Sequence, residues 1–211
     1  MTSIDTSPHM RRSPTAPHTE HHALGDEWRK RVPIDAHAEW QPRANRPDQV
    51  EILIEQGKSR MPELLPIRYA RMKADPFAFL RGAAAIMAGD LGSGPATGLR
   101  LQTEGDCHLD NFGTYATPEG TPVFDMNDFD ETLPAPFEWD VKRLTASLVV
   151  AGQVAEMPER ECRRLAREAA VSYREYLASL AELPPFCGLE HAHRPQGGDS
   201  RHRLRQDPPQ S

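Results

Sequence analysis

The chain has 211 residues and a formal net charge of −6 at pH 7, and its length allows one domain or a large part of a bigger one. Hydrophobic residues make up only 38% of the sequence and 20 prolines stand against 14 glycines, which indicates long irregular ends. The negative charge argues against nucleic-acid binding, and three cysteines at unrelated spacings argue against a disulfide framework. The apolar runs are too short for a membrane span or a secretory signal, so we expect a cytoplasmic protein.

The first half of the chain divides into a polar segment and a helical one. Residues 1–46 are rich in Pro, His, Arg and Ser without apolar periodicity, and we expect them to be mostly disordered or loosely packed. Apolar residues at helical spacing then predict a first helix from Pro47-Asp48 to about Gly57 and a second over 62–73. Asp75 followed by Pro76 is a strong start signal for a third helix that ends near Gly89, and its small residues predict close packing against another element.

The second half begins with short strands and returns to helix. Residues 99–103 alternate like a strand, and 112–116 and 121–124 predict a hairpin with a turn at 118–120. Two prolines hold 134–136 extended, and helices follow over 138–152 and 158–183, with Cys162 as a small core residue on the second. Residues 184–211 show no periodicity and form a tail that we do not expect to fold. The sequence therefore predicts an α+β fold over 47–183, mainly helical, with a small β-hairpin that carries an acidic loop, and with disordered termini.

The acidic region is the most informative part of the sequence. Between Arg100 and Lys142 lie 41 residues that contain ten acids and neither lysine nor arginine. Carboxylates crowded in this way repel each other and raise one another's pKa unless a cation lies among them. The region is therefore a candidate metal site.

The order of the acids predicts particular roles. Asp106 and Asn111 lie on one loop after a strand, which suits a general base and a ligand for a hard cation. Asp125 follows the hairpin strands and is placed to return to the same cation, with Asp128 as the alternative or second ligand. An Asp followed five residues later by Asn, and then by a second Asp, is the arrangement that phosphoryl-transfer sites use for a base and two Mg²⁺ ligands.

Neighbouring residues receive supporting roles. Asp140 lies at a helix start, and we predict that it braces the acidic loop from beneath. Lys142 and Arg143 are expected to pair with nearby acids. Arg81 is either an exposed side chain or a contact to a phosphate or to a carboxylate of the acidic region.

Three functions fit these residues. The first is phosphoryl transfer to a small-molecule hydroxyl, the second is a non-catalytic module in which the acids hold a cation or a partner, and the third is a metal-dependent hydrolase. The hydrolase is the weakest of the three, because such sites usually add imidazole ligands.

Several motifs resemble a known family. The segments Pro-Ile-Arg-Tyr-Ala-Arg-Met and Pro-Phe-Ala-Phe-Leu-Arg-Gly-Ala-Ala within 64–88, the loop over 105–113, and Phe-Asp-Met-Asn-Asp-Phe-Asp-Glu-Thr-Leu-Pro and Glu-Trp-Asp-Val-Lys-Arg-Leu within 123–147 look like the bacterial domain-of-unknown-function family 2252. The resemblance spans roughly residues 31–183. That family is similar to the aminoglycoside-phosphotransferase and choline-kinase branch of the protein-kinase-like fold.

The resemblance implies a function for the loop. It makes Asp106 the catalytic base, Asn111 the first metal ligand and Asp125 the second, with Mg²⁺ and ATP as cofactors, and Glu104 stands where that branch usually has His. It also implies that this chain is the catalytic-loop half of the fold, a truncated or frameshifted member without the nucleotide-binding lobe. We therefore expect weak or no nucleotide binding and no activity by these 211 residues alone.

Overall fold

The structure, a computed structural model, describes residues 18–182. The disorder predicted for 1–17 and for 184–211 concerns segments outside these residues. The predicted α+β class is confirmed, since helices dominate and four short strands form two small antiparallel sheets. Within 18–182 no helix is both long and apolar enough to cross a membrane.

The helices and strands follow the chain in two groups. The α-helices are α1 (His18–Arg31), α2 (Gln49–Gly57), α3 (Leu65–Met72), α4 (Pro76–Gly82), α5 (Ala84–Leu91), α6 (Glu138–Val154) and α7 (Glu159–Ala181). The strands are β1 (Arg100–Thr103), β2 (Phe112–Ala116), β3 (Pro122–Met126) and β4 (Leu133–Pro136). Single 3-10 turns occupy Ile34–Ala38, Pro62–Leu64 and Leu109–Asn111.

The predicted helix starts at 48 and 75 are confirmed by their caps. The Asp48 carboxylate accepts hydrogen bonds from the first free N–H groups of α2, at 2.8 and 3.2 Å. The Asp75 carboxylate accepts the N–H of Ala78 at 2.8 Å, with Pro76 in the first turn of α4. Both caps satisfy donors that a helix start leaves unpaired, and this local effect makes the starts readable from the sequence.

The predicted helix that begins at Asp75 is broken into α4 and α5 at Ala83, where φ is −117° and ψ is 29°. Two arginines from other helices donate hydrogen bonds to carbonyl groups near the break. Arg68 donates to the carbonyl of Gly82 at 2.7 Å, and Arg143 donates to that of Leu80 at 2.8 Å. These contacts favour the break because they hydrogen-bond carbonyl oxygens that a continuous helix would use internally.

The close packing predicted for the small residues of α4 is confirmed. A Cβ atom added at Gly82 would lie 2.6 Å from the Met72 side chain of α3, so any larger residue would require Met72 to move. Helices α6 and α7 also approach each other closely at a glycine, since a Cβ atom at Gly152 would lie 2.6 Å from the Cys162 sulfur. Cys162 is fully buried, which confirms its predicted core position.

The two sheets flank the acidic loop. Strand β1 pairs with β4 in the register Arg100↔Pro136, and β2 pairs with β3 in the register Phe112↔Met126. The predicted hairpin is confirmed with its turn around Gly120, where φ is +82°. Helix α6 packs against α4, α5 and α7 and also touches the loop, so it is the element around which the site is built.

The segment before α2 is more ordered than the sequence suggests over 18–46. It contains α1, and Arg46 forms a two-pronged ion pair with Asp90 of α5, with both hydrogen bonds at 2.6 Å. Arg43 donates to the carbonyl of Gly89 at 2.7 Å. These are polar contacts between distant residues, and a search for apolar periodicity does not detect them.

Candidate functional site

The acidic loop is shaped by a glycine. Gly105 has φ of +87°, and a Cβ atom there would lie 2.1 Å from the carbonyl oxygen of Glu131. The loop and the segment that follows β3 therefore touch through their backbones. A second link is the hydrogen bond from the N–H of Asn127 to the carbonyl of Asn111, at 3.0 Å.

Helix α6 holds the loop from below. The two oxygens of Asp140 accept the backbone N–H groups of Glu104 and Gly105, at 2.8 and 3.1 Å, so its predicted bracing role is confirmed. Two turns further along α6, the hydroxyl oxygen of the fully buried Ser147 accepts the N–H of Leu109 at 3.0 Å. Ser147 was not predicted, although a serine within an apolar helix stripe is a signal for a buried hydrogen bond.

Asp106, the predicted base, is fixed by Arg143. The Nε and Nη2 atoms of Arg143 both donate to Oδ1 of Asp106, the former at 2.6 Å, and Arg143 is only 2% exposed. This confirms the pairing predicted for Arg143. Both of these hydrogen bonds go to Oδ1, and the other oxygen, Oδ2, forms no hydrogen bond with the described residues. Burial raises the pKa of Asp106, although the contact with Arg143 opposes that shift.

His108 is a neutral neighbour of this carboxylate. Its Nε2 lies 3.6 Å from Oδ2 of Asp106, too far for a hydrogen bond. The ring is 3% exposed, and burial lowers its pKa more than the nearby carboxylate raises it. A neutral imidazole leaves Arg143 as the cation that directly contacts Asp106.

Asn111 is oriented by its amide nitrogen. Nδ2 donates to Oε1 of Glu104 at 3.0 Å and to the backbone carbonyl of Asp106 at 3.1 Å. Because both partners are acceptors, the nitrogen must face them, and the carbonyl oxygen Oδ1 is left for the cleft that Asn111 lines. Glu104 thus orients the amide of the loop.

Glu104 and Cys107 are buried neighbours beneath the loop. Glu104 is 4% exposed, and burial raises its pKa to about 7, with smaller upward contributions from Asp140 and Asp106. Its Oε2 is buried without a hydrogen bond that meets normal geometry, next to the Cys107 thiol. Burial also raises the pKa of Cys107, so this thiol is not a nucleophile at neutral pH.

The loop opens into a cleft of about 990 Å³ with two walls of opposite charge. Asp106, Asn111 and Asp128 line one wall, together with the neighbouring acids Asp130 and Glu131. The other wall is contributed by α3, α4 and the turn before them, and its charged residues are Arg60, Arg68, Arg71 and Arg81. Three of the four predicted site residues thus share one cavity.

Asp125 is the predicted site residue that does not line this cleft. It lies on β3 opposite Gly113, and its Oδ1 accepts the N–H of Met126 at 2.8 Å. The next side chain along the strand, Met126, lines a separate apolar cavity of about 300 Å³, so Asp125 lies on the other face of β3. Asp128, on the loop after the strand, is the predicted carboxylate ligand that lines the cleft together with Asn111.

The oxygen atoms on the acidic wall are of the kind that Mg²⁺ binds. No three His, Cys, Asp or Glu side chains are grouped as a ready metal cage within 18–182. Magnesium commonly uses one or two carboxylates and completes its shell with water and substrate phosphate oxygens. The amide oxygen of Asn111 with the exposed carboxylate of Asp128 fits such a partial set.

The arginines of the opposite wall were largely missed by the sequence analysis. Arg81 pairs with Asp110 at 2.9 Å, which confirms the carboxylate contact that was one of its predicted alternatives. Arg60, Arg68 and Arg71 were not singled out. The spacing of three residues between Arg68 and Arg71 was the available signal, because it places both on one helix face.

Comparison with known families identifies the chain. Residues 60–193 match the family described as an uncharacterized protein conserved in bacteria (DUF2252), and the chain belongs to this family. The match covers α3 to α7 and so includes the charged residues of both cleft walls. No curated protein and no solved structure matches the chain.

Proposed function

We propose that this family member carries a kinase-like phosphotransferase site that uses Mg²⁺ and ATP, with Asp106 as the general base and a small-molecule hydroxyl as the acceptor. The supporting observation is that Asp106, anchored through one oxygen, shares a cleft wall with the oriented amide of Asn111 and with Asp128. A base beside hard-cation ligands is what phosphoryl transfer requires of a protein.

The proposed reaction is a simple transfer. The acceptor hydroxyl gives its proton to Oδ2 of Asp106 while its oxygen forms a bond to the γ-phosphorus of ATP. The bond between that phosphorus and the β,γ-bridging oxygen breaks, and ADP leaves with the electron pair. Arg143 keeps Asp106 in position, and the upward shift in the pKa of Asp106 favours proton uptake. When bound, Mg²⁺ neutralises charge on the triphosphate.

The proposal treats this chain as the catalytic-loop half of such a transferase. The described residues that line the cleft include no lysine, the residue that kinase-like sites use to hold the α- and β-phosphates. We therefore expect ATP to bind the 211-residue chain more weakly than micromolar. A micromolar dissociation constant in calorimetry would contradict the half-domain part of the proposal.

The metal part is tested by titrating the chain with Mn²⁺, a spectroscopic substitute for Mg²⁺, and following the free ion by electron paramagnetic resonance. Asp128→Asn is expected to weaken Mn²⁺ binding about tenfold, because it removes one of few anionic ligands. The matched control is Asp35→Asn, which changes an exposed acid away from the cleft. Equal affinities in the parent and Asp128→Asn would refute the assignment of this wall to a cation.

The transfer part is tested with a version extended through the downstream reading frame, by release of ADP from ATP. Asp106→Asn should reduce turnover by about 100-fold or more, in line with the loss of a general base. Cation binding without turnover in the extended version would favour the alternative of a non-catalytic cation-binding module. Cleavage of phosphoesters without ATP would favour the hydrolase.

A further inference from the structure

We propose that the helical wall of the cleft is a phosphate-binding site, formed by Arg60, Arg68, Arg71 and Arg81 and called here the arginine wall. This goes beyond the proposed function, because such a site requires neither Mg²⁺ nor Asp106. The ligand is a molecule that carries a phosphate group and enters the cleft between the two charged walls.

Arg68 is the centre of the argument. It is half-buried on α3, and its only hydrogen bond with the described residues is the one from Nη2 to the carbonyl of Gly82. A guanidinium has five N–H donors, so most of them remain unused in a partly desolvated position. Burial lowers the pKa of Arg68, and the nearby Arg60 lowers it further. A charge held in this way is stabilised when an anion fills the space beside it.

The other arginines leave the wall largely uncompensated. The Arg71 side chain forms no hydrogen bond or ion pair with any residue of the described part of the chain, and it lies one turn from Arg68 on the same helix. Arg60 has only a loose contact to Glu131, at 3.7 Å. Arg81 is the one well-paired member, through Asp110.

The acids across the cleft do not neutralise these arginines. Among the residues that line the cleft, the Arg60–Glu131 contact is the one ion pair within 4.0 Å that joins the two walls over 18–182. Asp106 is instead paired with Arg143, which belongs to α6. The walls therefore stand apart, and the space between them belongs to a cavity of about 990 Å³, which is the size of pockets that hold nucleotides or small phosphorylated molecules.

The chemistry of the wall favours phosphate over other ligands. Guanidinium groups bind phosphate oxygens in two-pronged pairs, and more than one guanidinium can engage the oxygens of a single phosphate. The same wall repels a cationic ligand. A positively charged part of a ligand would instead face the acids of the opposite wall.

The site is tested with inorganic pyrophosphate, measured by calorimetry at low ionic strength in the presence of a chelator that removes divalent cations. We expect saturable binding that Arg71→Gln weakens about tenfold, since a charged hydrogen-bonding partner is lost. Arg71 is exposed, so this variant keeps the fold. Arg174→Gln is the matched control, because Arg174 is an exposed arginine of α7 outside the cleft.

A second variant tests the geometry of the wall. Arg68→Lys keeps the positive charge but loses the planar fork, and we expect it to recover only part of the affinity lost in Arg68→Gln. No saturable binding of pyrophosphate by the parent would overturn the proposal. An equal loss of affinity in Arg71→Gln and Arg174→Gln would also overturn it, because the binding would then follow net charge rather than the wall.

Competition identifies the source of the phosphate. Displacement of pyrophosphate by ATP but not by glycerol 3-phosphate supports a wall that holds nucleotide phosphates, whereas displacement by glycerol 3-phosphate supports a wall for a phosphorylated acceptor. Displacement by neither would overturn the assignment to a phosphate-bearing ligand. The titration contains no divalent cation, so failure of the metal site and failure of the arginine wall give different results.

Discussion

Replacement of Glu104 by glutamine is expected to stabilise the protein at alkaline pH. Glu104 is almost fully buried, and burial raises its pKa from 4.5 in the unfolded chain to about 7. A raised pKa in the folded state means that the neutral form contributes stability, which is fully present below pH 4.5 and is lost as the pH rises through 7. Glutamine keeps an oxygen for Asn111 and remains neutral at every pH.

The size of the effect follows from the shift. At roughly 1.4 kcal/mol per pH unit, the interval between 4.5 and about 7 corresponds to about 3.5 kcal/mol, and this is the largest gain expected for Glu104→Gln. The free energy of unfolding of the variant minus that of the parent should rise between pH 4.5 and 7 and then level off. Below pH 4.5 the pH-dependent part of the difference vanishes, because Glu104 is protonated in both states of the parent.

Urea unfolding followed by tryptophan fluorescence between pH 4.5 and 8.5 measures this difference. Glu63→Gln is the matched control, since Glu63 is exposed and should give a difference that does not vary with pH. A constant difference for Glu104→Gln across the range would refute the argument, because it would show that Glu104 is ionised in the folded protein. A variant that loses stability as the pH rises would refute it as well.

Two further substitutions test how the loop is held. Gly105→Ala should destabilise the protein by about 3 kcal/mol or more in urea unfolding, because the added Cβ meets the carbonyl of Glu131 at 2.1 Å. The control Gly120→Ala has a similar φ of +82° but open space around the added Cβ, and it should cost only about 1 kcal/mol. Equal costs would show that the loop is not packed against the segment after β3. Arg143→Met should lower the free energy of unfolding by about 3 kcal/mol near neutral pH and by less in acid, because it leaves the Asp106 carboxylate buried without its cation. A loss of stability that does not vary with pH in the same assay would show that packing rather than charge is responsible.

Much of the helical framework was accessible from the amino-acid sequence, because its causes are local. The caps at Asp48 and Asp75 act on N–H groups two or three residues away, and apolar spacing marked α6 and α7. The hairpin was predicted from alternating residues around a glycine turn for the same reason. By contrast, the pairing of β1 with β4 joins segments about thirty residues apart, and the prolines of β4 indicated only an extended chain.

The candidate site divides in the same way. The motif from Glu104 to Asn111 and the following acids marked the region and named Asp106, Asn111 and Asp128, which the fold gathers on one wall. The sequence named Asp125 as a ligand, with Asp128 as the alternative or second ligand. Only the packed structure shows that Asp128, on the loop after β3, lines the cleft and that Asp125 does not.

Residue order thus determined which segments become helix or strand and where negative charge accumulates, since both depend on neighbours within a few positions. Tertiary structure alone decided that α4 ends at Gly82, that Arg143 holds Asp106, and that four arginines face the acids across a cavity. Each of these depends on side chains that meet across tens of residues. Such meetings are set by the packing of α6 against α4, α5 and α7, and no local pattern in the chain encodes them.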